Sequence, residues 1–148
     1  MSKNLDAFVK DLQDQIFEET RAAYGDVAFQ RWLKPLYMGA IDNPDGYGRV
    51  TGSCGDTIQI FLKFENNKVK KALFETNGCM SSTVCGSFAA ELSLEKSPDE
   101  ILDITGESIL KKMGGLPEED QHCAFLSAAA LQAALNDYMI KRTKRVRA

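Results

Sequence analysis

An α+β fold is predicted by three changes of hydrophobic period along the 148-residue chain. Apolar residues recur at helical spacing before residue 40, alternate with polar ones from Tyr47 to Thr76, and return to helical spacing from Met80 onward. The expected architecture is a small three-stranded antiparallel sheet covered by helices, with an added amphipathic helix at the N-terminal end.

The elements follow in order. Leu5, Phe8, Val9, Leu12 and Ile16 fall on one face of a first helix, with Asn4 as its expected cap and Gly25 near its end. Asp26 is the expected cap of a shorter helical piece carrying Phe29, Trp32 and Leu33, which Pro35 stops before the turn-rich Asn43-Pro44-Asp45-Gly46. Gly48 to Gly52 is read as one strand. Ile58, Ile60, Leu62 and Phe64 mark a second, and Asn66-Asn67 turns the chain into a third from Val69 to Thr76. Val84, Phe88 and Leu92, with Ala89, form the stripe of a helix from about Met80 to Glu95. Pro98-Asp99-Glu100 opens a short helix through Ile101, Leu102 and Ile104. A long helix begins near His122, with Phe125, Leu131, Leu135 and Tyr138 apolar and with Ala128 and Ala134 small enough for close packing. The length argues for a single domain, residues 1–148, with an N-terminal helical segment over 1–40 and a basic tail over 141–148.

Composition narrows the function. With 44% hydrophobic residues the chain can build an ordinary core without disulfide staples. The opening Met1-Ser2-Lys3-Asn4-Leu5-Asp6 has neither the apolar core of a secretory signal nor the make-up of a transit peptide, so a cytoplasmic location with reduced thiols is expected. No apolar run reaches the roughly 18 to 20 residues of a membrane span. A net charge of −3 argues against a general nucleic-acid surface, and the basic run Lys141, Arg142, Lys144, Arg145, Arg147 is read as a solvated helix end suited to the negative pole of the helix dipole.

The four cysteines are therefore free for chemistry. Cys54 lies in a Gly-flanked turn with Asp56, Cys79 follows Gly78 between a strand and a helix, and Cys123 stands beside the sole histidine, His122, in the first turn of the last helix. Three such turns can meet at one end of a sheet. Unpaired backbone N–H groups at a helix start favour the thiolate that binds metal, which applies to Cys79 and Cys123. Blander readings stand beside these: Asp56 bonding the N–H groups of its own turn, His122 as a helix-start residue without a metal contact, and Gly55 and Gly78 serving turn geometry alone. Cys85, inside a helix, is read as a small buried hydrophobe.

Gly52-Ser53-Cys54-Gly55-Asp56, Thr76-Asn77-Gly78-Cys79, and Leu116-Pro117 followed by His122-Cys123-Ala124 resemble the iron-sulfur cluster assembly scaffolds of the IscU/NifU type, over roughly residues 47–140. The resemblance implies a ligand set of Cys54, Asp56, Cys79, His122 and Cys123. It also implies a [2Fe-2S] cluster built from iron and from sulfur delivered by a cysteine desulfurase, then passed to recipient apo iron-sulfur proteins. A hard carboxylate or an imidazole in place of a fourth thiolate suits a cluster that must be released. On this reading the protein is a carrier and not an enzyme, and the first helix either covers the sheet or shields the cluster. The oligomeric state is left open, a homodimer included.

The chain departs from the family pattern before the last helix. Familiar members carry Leu-Pro-Pro-Val-Lys, a stretch read by an Hsp70-type chaperone, where this chain has Leu116-Pro117-Glu118-Glu119-Asp120. The chaperone partnership is not carried over. The three acids are read instead as first-turn residues of the last helix, with Asp120 as a cap. Two other functions compete. Asp56 and the three cysteines also suit zinc, in an apo form or in a zinc-bound sulfurtransferase that accepts persulfide. A thiol enzyme using Cys123 or Cys79 with His122 as base ranks below both, because adjacent helical side chains diverge by about 100°.

Overall fold

The computed structural model describes the backbone of residues 2–147 and the side chains of residues 4–145. Among these the order is α1 (Ser2–Tyr24), α2 (Asp26–Leu33), β1 (Gly46–Thr51), β2 (Thr57–Glu65), β3 (Lys68–Thr76), α3 (Met80–Ser93), α4 (Pro98–Leu102), α5 (Gly106–Met113), a 3-10 turn (Glu118–Asp120) and α6 (His122–Arg147). The strands pair antiparallel in the order β1-β2-β3, which bears out the expected sheet.

The alternation of β2 explains how the sheet is covered. Ile58, Ile60 and Leu62 point to one face, in register with Val50, Gly48 and Gly46 on β1 and with Thr76, Phe74 and Ala72 on β3. Helix α6 crosses this face over β1 and β2, while α3 crosses it over β3, and the two helices pack on each other. Ile58, Ile60, Leu62, Phe74, Val84 and Leu131 are fully buried between them. The open edge of β3 is closed by the segment around Met38: Gly39 N–H donates to the Phe74 carbonyl at 2.8 Å and Phe74 N–H to the Tyr37 carbonyl at 2.8 Å.

Close approach of α6 to β1 depends on the absence of a side chain at Gly48. A Cβ there would lie 2.5 Å from Ala134 N and 3.0 Å from Ala133 C, atoms of a helix backbone that cannot swing aside. Gly48→Ala is expected to cost roughly 3 kcal/mol by overpacking, read from the urea midpoint. An unchanged midpoint would mean that β1 can slide off the helix freely.

The helix ends differ from expectation in several places. Asn4 lies inside α1, which already starts at Ser2. Asp26 is the first residue of α2 and makes no capping bond; Gly25, at φ +87°, holds the cap position, and the Asp26 carboxylate sits 3.7 Å from Arg21 Nε instead. Helix α5 was not foreseen, because Gly106 and the pair Gly114-Gly115 bracket it. Its start is fixed by a capping box in which Thr105 Oγ1 accepts from Ser108 N–H and Ser108 Oγ accepts from Thr105 N–H. Its buried Ile109 and Met113 complete the core. Leu102 and Phe125, named among the apolar positions of their helices, are exposed, and the Phe125 ring rests on Gly106.

Helix α1 lies mostly exposed, with Tyr24 at its end packed against the core. Phe17 meets Phe29 of α2 edge-on at 5.9 Å between ring centres, and Arg21 lies over the same ring. Gly25 then redirects the chain, so the earlier turns pass the body by. Leu5, Phe8 and Leu12 remain 62%, 64% and 48% exposed. Helix α2, by contrast, is clamped to α3: the Arg31 guanidinium donates to Glu91 at 3.0 Å and to Ser87 Oγ at 3.0 Å while stacking on Phe88. At the other terminus Lys141, Arg142, Lys144 and Arg145 ride on the end of α6, but they are not merely solvated: Lys141 pairs with Asp137 at 2.9 Å and Arg142 donates to Asn67 Oδ1 at 2.7 Å; Arg147's side chain and Ala148 lie outside the described residues. No helix among the described residues is long and apolar enough to cross a membrane.

Candidate metal centre

The turn between β1 and β2 brings in Cys54 and Asp56. It closes through Gly52 N–H to the Asp56 carbonyl at 2.9 Å and Gly55 N–H to the Gly52 carbonyl at 3.0 Å, with Gly55 at φ +92°. The strand end at Thr76 is tied to the start of β2, since Thr76 Oγ1 donates to the Thr57 carbonyl at 2.7 Å and Asn77 Oδ1 accepts from Thr57 N–H at 2.8 Å. These bonds fix the Asp56 turn against the Asn77-Gly78-Cys79 turn. Cys79 is the N-cap residue of α3, and Cys123 lies one residue into α6 where that helix crosses α3.

Three of the five expected site residues converge. A carboxylate oxygen of Asp56, Cys79 Sγ and Cys123 Sγ all lie within 4.8 Å of one another. Thiolates about 2.3 Å from a single ion stand up to about 4.6 Å apart, so the trio lies near the spacing of one metal or one edge of a cluster. Cys54 and His122 stand outside this trio, both exposed, Cys54 with its Sγ beside Gly52. His122 nevertheless borders it: Nε2 is 3.6 Å from Cys123 Sγ and Nδ1 is 2.9 Å from the Glu119 carbonyl. The expected divergence of the adjacent pair is therefore overturned. At the first residue of α6 the imidazole folds back toward the preceding turn and reaches its neighbour's sulfur. A carbonyl only accepts, so Nδ1 carries the proton of the neutral ring and Nε2 presents a lone pair toward the trio.

Asp56 does not spend its carboxylate on its own turn. Oδ2 accepts from Ser82 Oγ at 2.7 Å and stands 3.9 Å from Cys79 Sγ. Gly78 serves this approach and not a special backbone angle, because a Cβ there would sit 2.7 Å from both Asp56 Oδ2 and Ser82 Oγ. Ser82 was not singled out from the sequence. The available signal was its place three residues after Cys79, one turn along the same helix face.

Burial sorts the thiols. Cys54 and Cys79 are exposed, whereas Cys85 and Cys123 are buried. Desolvation pushes the Cys123 thiol up to about 11, against a smaller lowering by the Ser82 hydroxyl, so burial outweighs the helix start that was expected to favour its thiolate. Cys85 is likewise raised by burial, 3.8 Å from Met113 Sδ, which fits its reading as a small hydrophobe. Metal capture must therefore expel a proton from Cys123 at neutral pH, and loading strengthens as pH rises. In apo protein at pH 8, iodoacetamide is expected to modify Cys54 and Cys79 first and Cys123 at least about tenfold more slowly, because burial withdraws most of its thiolate and greater nucleophilicity restores only part of the rate. Mass mapping of the labelled peptides reads the order; equal rates would contradict the burial of Cys123.

Asp120 also differs from its expected role. The acids Glu118, Glu119 and Asp120 form their own 3-10 turn ahead of α6. The Asp120 carboxylate beside it, with partial burial, raises the Tyr24 hydroxyl above the usual phenol range, which places the end of α1 next to the turn before His122.

With this geometry the chain was compared with known proteins. The family described as NifU-like N terminal domain matches residues 23–145, further upstream than the motifs alone had suggested and excluding nearly all of α1. The iron-sulfur cluster assembly scaffold protein IscU 1 of Archaeoglobus fulgidus is 35% identical over 122 residues, covering 82% of this chain and 80% of the relative. The iron-sulfur cluster assembly enzyme IscU of Drosophila melanogaster is 35% identical over 130 residues, 84% of each chain. Among solved structures, the N-terminal part of a NifU-like protein from Brucella abortus superposes with a TM-score of 0.65 at 18% identity, over 82% of this chain and 98% of that one.

Proposed function

The chain belongs to the IscU/NifU family, and from that membership we propose that it is a scaffold on which an iron-sulfur cluster is assembled and from which it is handed to apoproteins. The observation that carries this reading is the convergence of Asp56, Cys79 and Cys123 from three separate elements. Thiolates suit iron and sulfide, while the oxygen of Asp56 makes a poorer match to that soft set. A site of this make-up holds its cargo without keeping it.

The division of exposure suits a carrier. Cys54 and Cys79 face solvent, where a cysteine desulfurase can present persulfide sulfur, and Cys123 closes the inner side. Each sulfur arriving as persulfide needs two electrons from a reductant to become sulfide. The cargo is a [2Fe-2S] cluster held by Cys54, Cys79 and Cys123 with Asp56 or His122 in the fourth position. Cys54, exposed in the turn and outside the trio, joins it when the cluster is bound. Residues 47–140 carry the cluster site within a single domain, with α1 an added helix ahead of the family match and 141–148 a basic tail, and the protein works in the cytoplasm. It turns over no substrate of its own.

Transfer tests the proposal. Protein loaded anaerobically with iron and sulfide is mixed with an apo-ferredoxin, and the recipient is separated and its absorption measured. The recipient is expected to gain the cluster while the donor loses it; a donor that loads but never discharges contradicts a scaffold role.

A further inference from the structure

Ser82 is fully buried, and its hydroxyl lies between two members of the trio, 2.7 Å from Asp56 Oδ2 and 3.5 Å from Cys123 Sγ. It is contributed by α3 one turn beyond Cys79, so a single helix supplies both a thiol and the group that faces the other two residues. The empty space at Gly78 is what admits it beside the carboxylate. A hydroxyl has one proton and cannot donate to both neighbours at once. The shorter contact, 2.7 Å, is the one to the carboxylate.

We propose that Ser82 is a positioning residue that seats the Asp56 carboxylate and the Cys123 sulfur against each other, so that the trio is assembled before metal arrives. The inference rests on the reading of Asp56 and Cys123 as ligands. Buried hydroxyls left without a partner are costly, and a charged partner strengthens the bond, so the Ser82–Asp56 contact is a strong restraint on a side chain that otherwise pivots in a turn. Preorganised ligands bind more tightly because less freedom is lost on binding. Ser82 touches no metal in this role; it acts through Asp56 and Cys123.

Cobalt(II) is a suitable probe, since its thiolate bands report binding without any cluster chemistry. Full-length protein is titrated anaerobically with Co²⁺ as wild type, Ser82→Ala, Ser82→Thr and Cys123→Ser. Loss of one hydrogen bond to a charged group predicts about tenfold weaker binding for Ser82→Ala. Threonine, which keeps the hydroxyl, is expected to restore the affinity to within about twofold, an outcome that mere packing would not produce. Wild-type affinity in Ser82→Ala, with Cys123→Ser impaired, overturns the role of Ser82 alone. Undiminished binding in Cys123→Ser overturns the ligand reading and this inference with it. Cobalt results as predicted in a protein that fails to transfer iron and sulfide would leave Ser82 in place and sink the scaffold proposal.

Discussion

Cys123→Ser is expected to lose stable cluster binding, while Cys85→Ser keeps it. Changing a group that merely orients a metal ligand typically costs about 10–100-fold in affinity, so removing the sulfur itself should cost at least about 100-fold. Cys54→Ser and Cys79→Ser should behave as Cys123→Ser does. Cys85 provides the control because it is buried, with its sulfur 3.8 Å from Met113 Sδ and outside the trio. Its replacement puts a hydroxyl into an apolar site and should cost about 1–3 kcal/mol of stability without bleaching the protein. The two variants thus separate along different axes, one read by visible absorption after desalting and the other by the denaturation midpoint. Bleaching of Cys85→Ser with an unaffected Cys123→Ser would reverse the ligand assignment.

Asp56→Ala is expected to leave assembly intact and slow transfer to apo-ferredoxin by about tenfold or more, equivalent to ~1.4 kcal/mol on the barrier. The carboxylate is the hard, exchangeable member of the set, and its departure opens an iron to the recipient's thiolate. Without it the position falls to His122, whose Nε2 already presents a lone pair 3.6 Å from Cys123 Sγ. Imidazole matches iron better than carboxylate and should let go less readily. Asp56→Ala combined with His122→Ala should then discharge quickly or fail to hold the cluster. An unchanged transfer rate in the single variant would remove Asp56 from the release step.

The sheet and the two helices that cover it were legible because their signals are periodic. Ile58, Ile60 and Leu62 alternate as a half-buried strand must, and Val84, Phe88 and Leu131 fall where helices meet it. Local chemistry was read less well. Asn4 and Asp26 look like caps, yet α1 already starts at Ser2, and Gly25, at a positive φ, takes the cap position ahead of Asp26. The apolar face of α1 resembles any buried stripe; its exposure follows from a redirection that periodicity does not record.

The site divides in the same way. Asp56, Cys79 and Cys123 were named from residue type and turn context, and they do converge. Ser82 was passed over because a serine in an apolar helix carries no chemical label until its neighbours are known. His122 and Cys123 were expected to diverge on an ideal helix, but the helix begins there and the ring folds back on the Glu119 carbonyl. Gly78 shows the same limit, since its purpose lies in the carboxylate and hydroxyl that occupy the space a side chain would take.

The central claim is that distant thiols and one carboxylate meet to hold iron and sulfide. Anaerobic purification followed by metal and acid-labile sulfide analysis, with an absorption spectrum of the same sample, tests it most directly. Iron and labile sulfide in equal amounts, with sulfide-to-iron bands in the visible that Cys123→Ser lacks, are the predicted result. Equimolar zinc that iron and sulfide cannot displace, without labile sulfide, would contradict it and point to a zinc-bound sulfurtransferase.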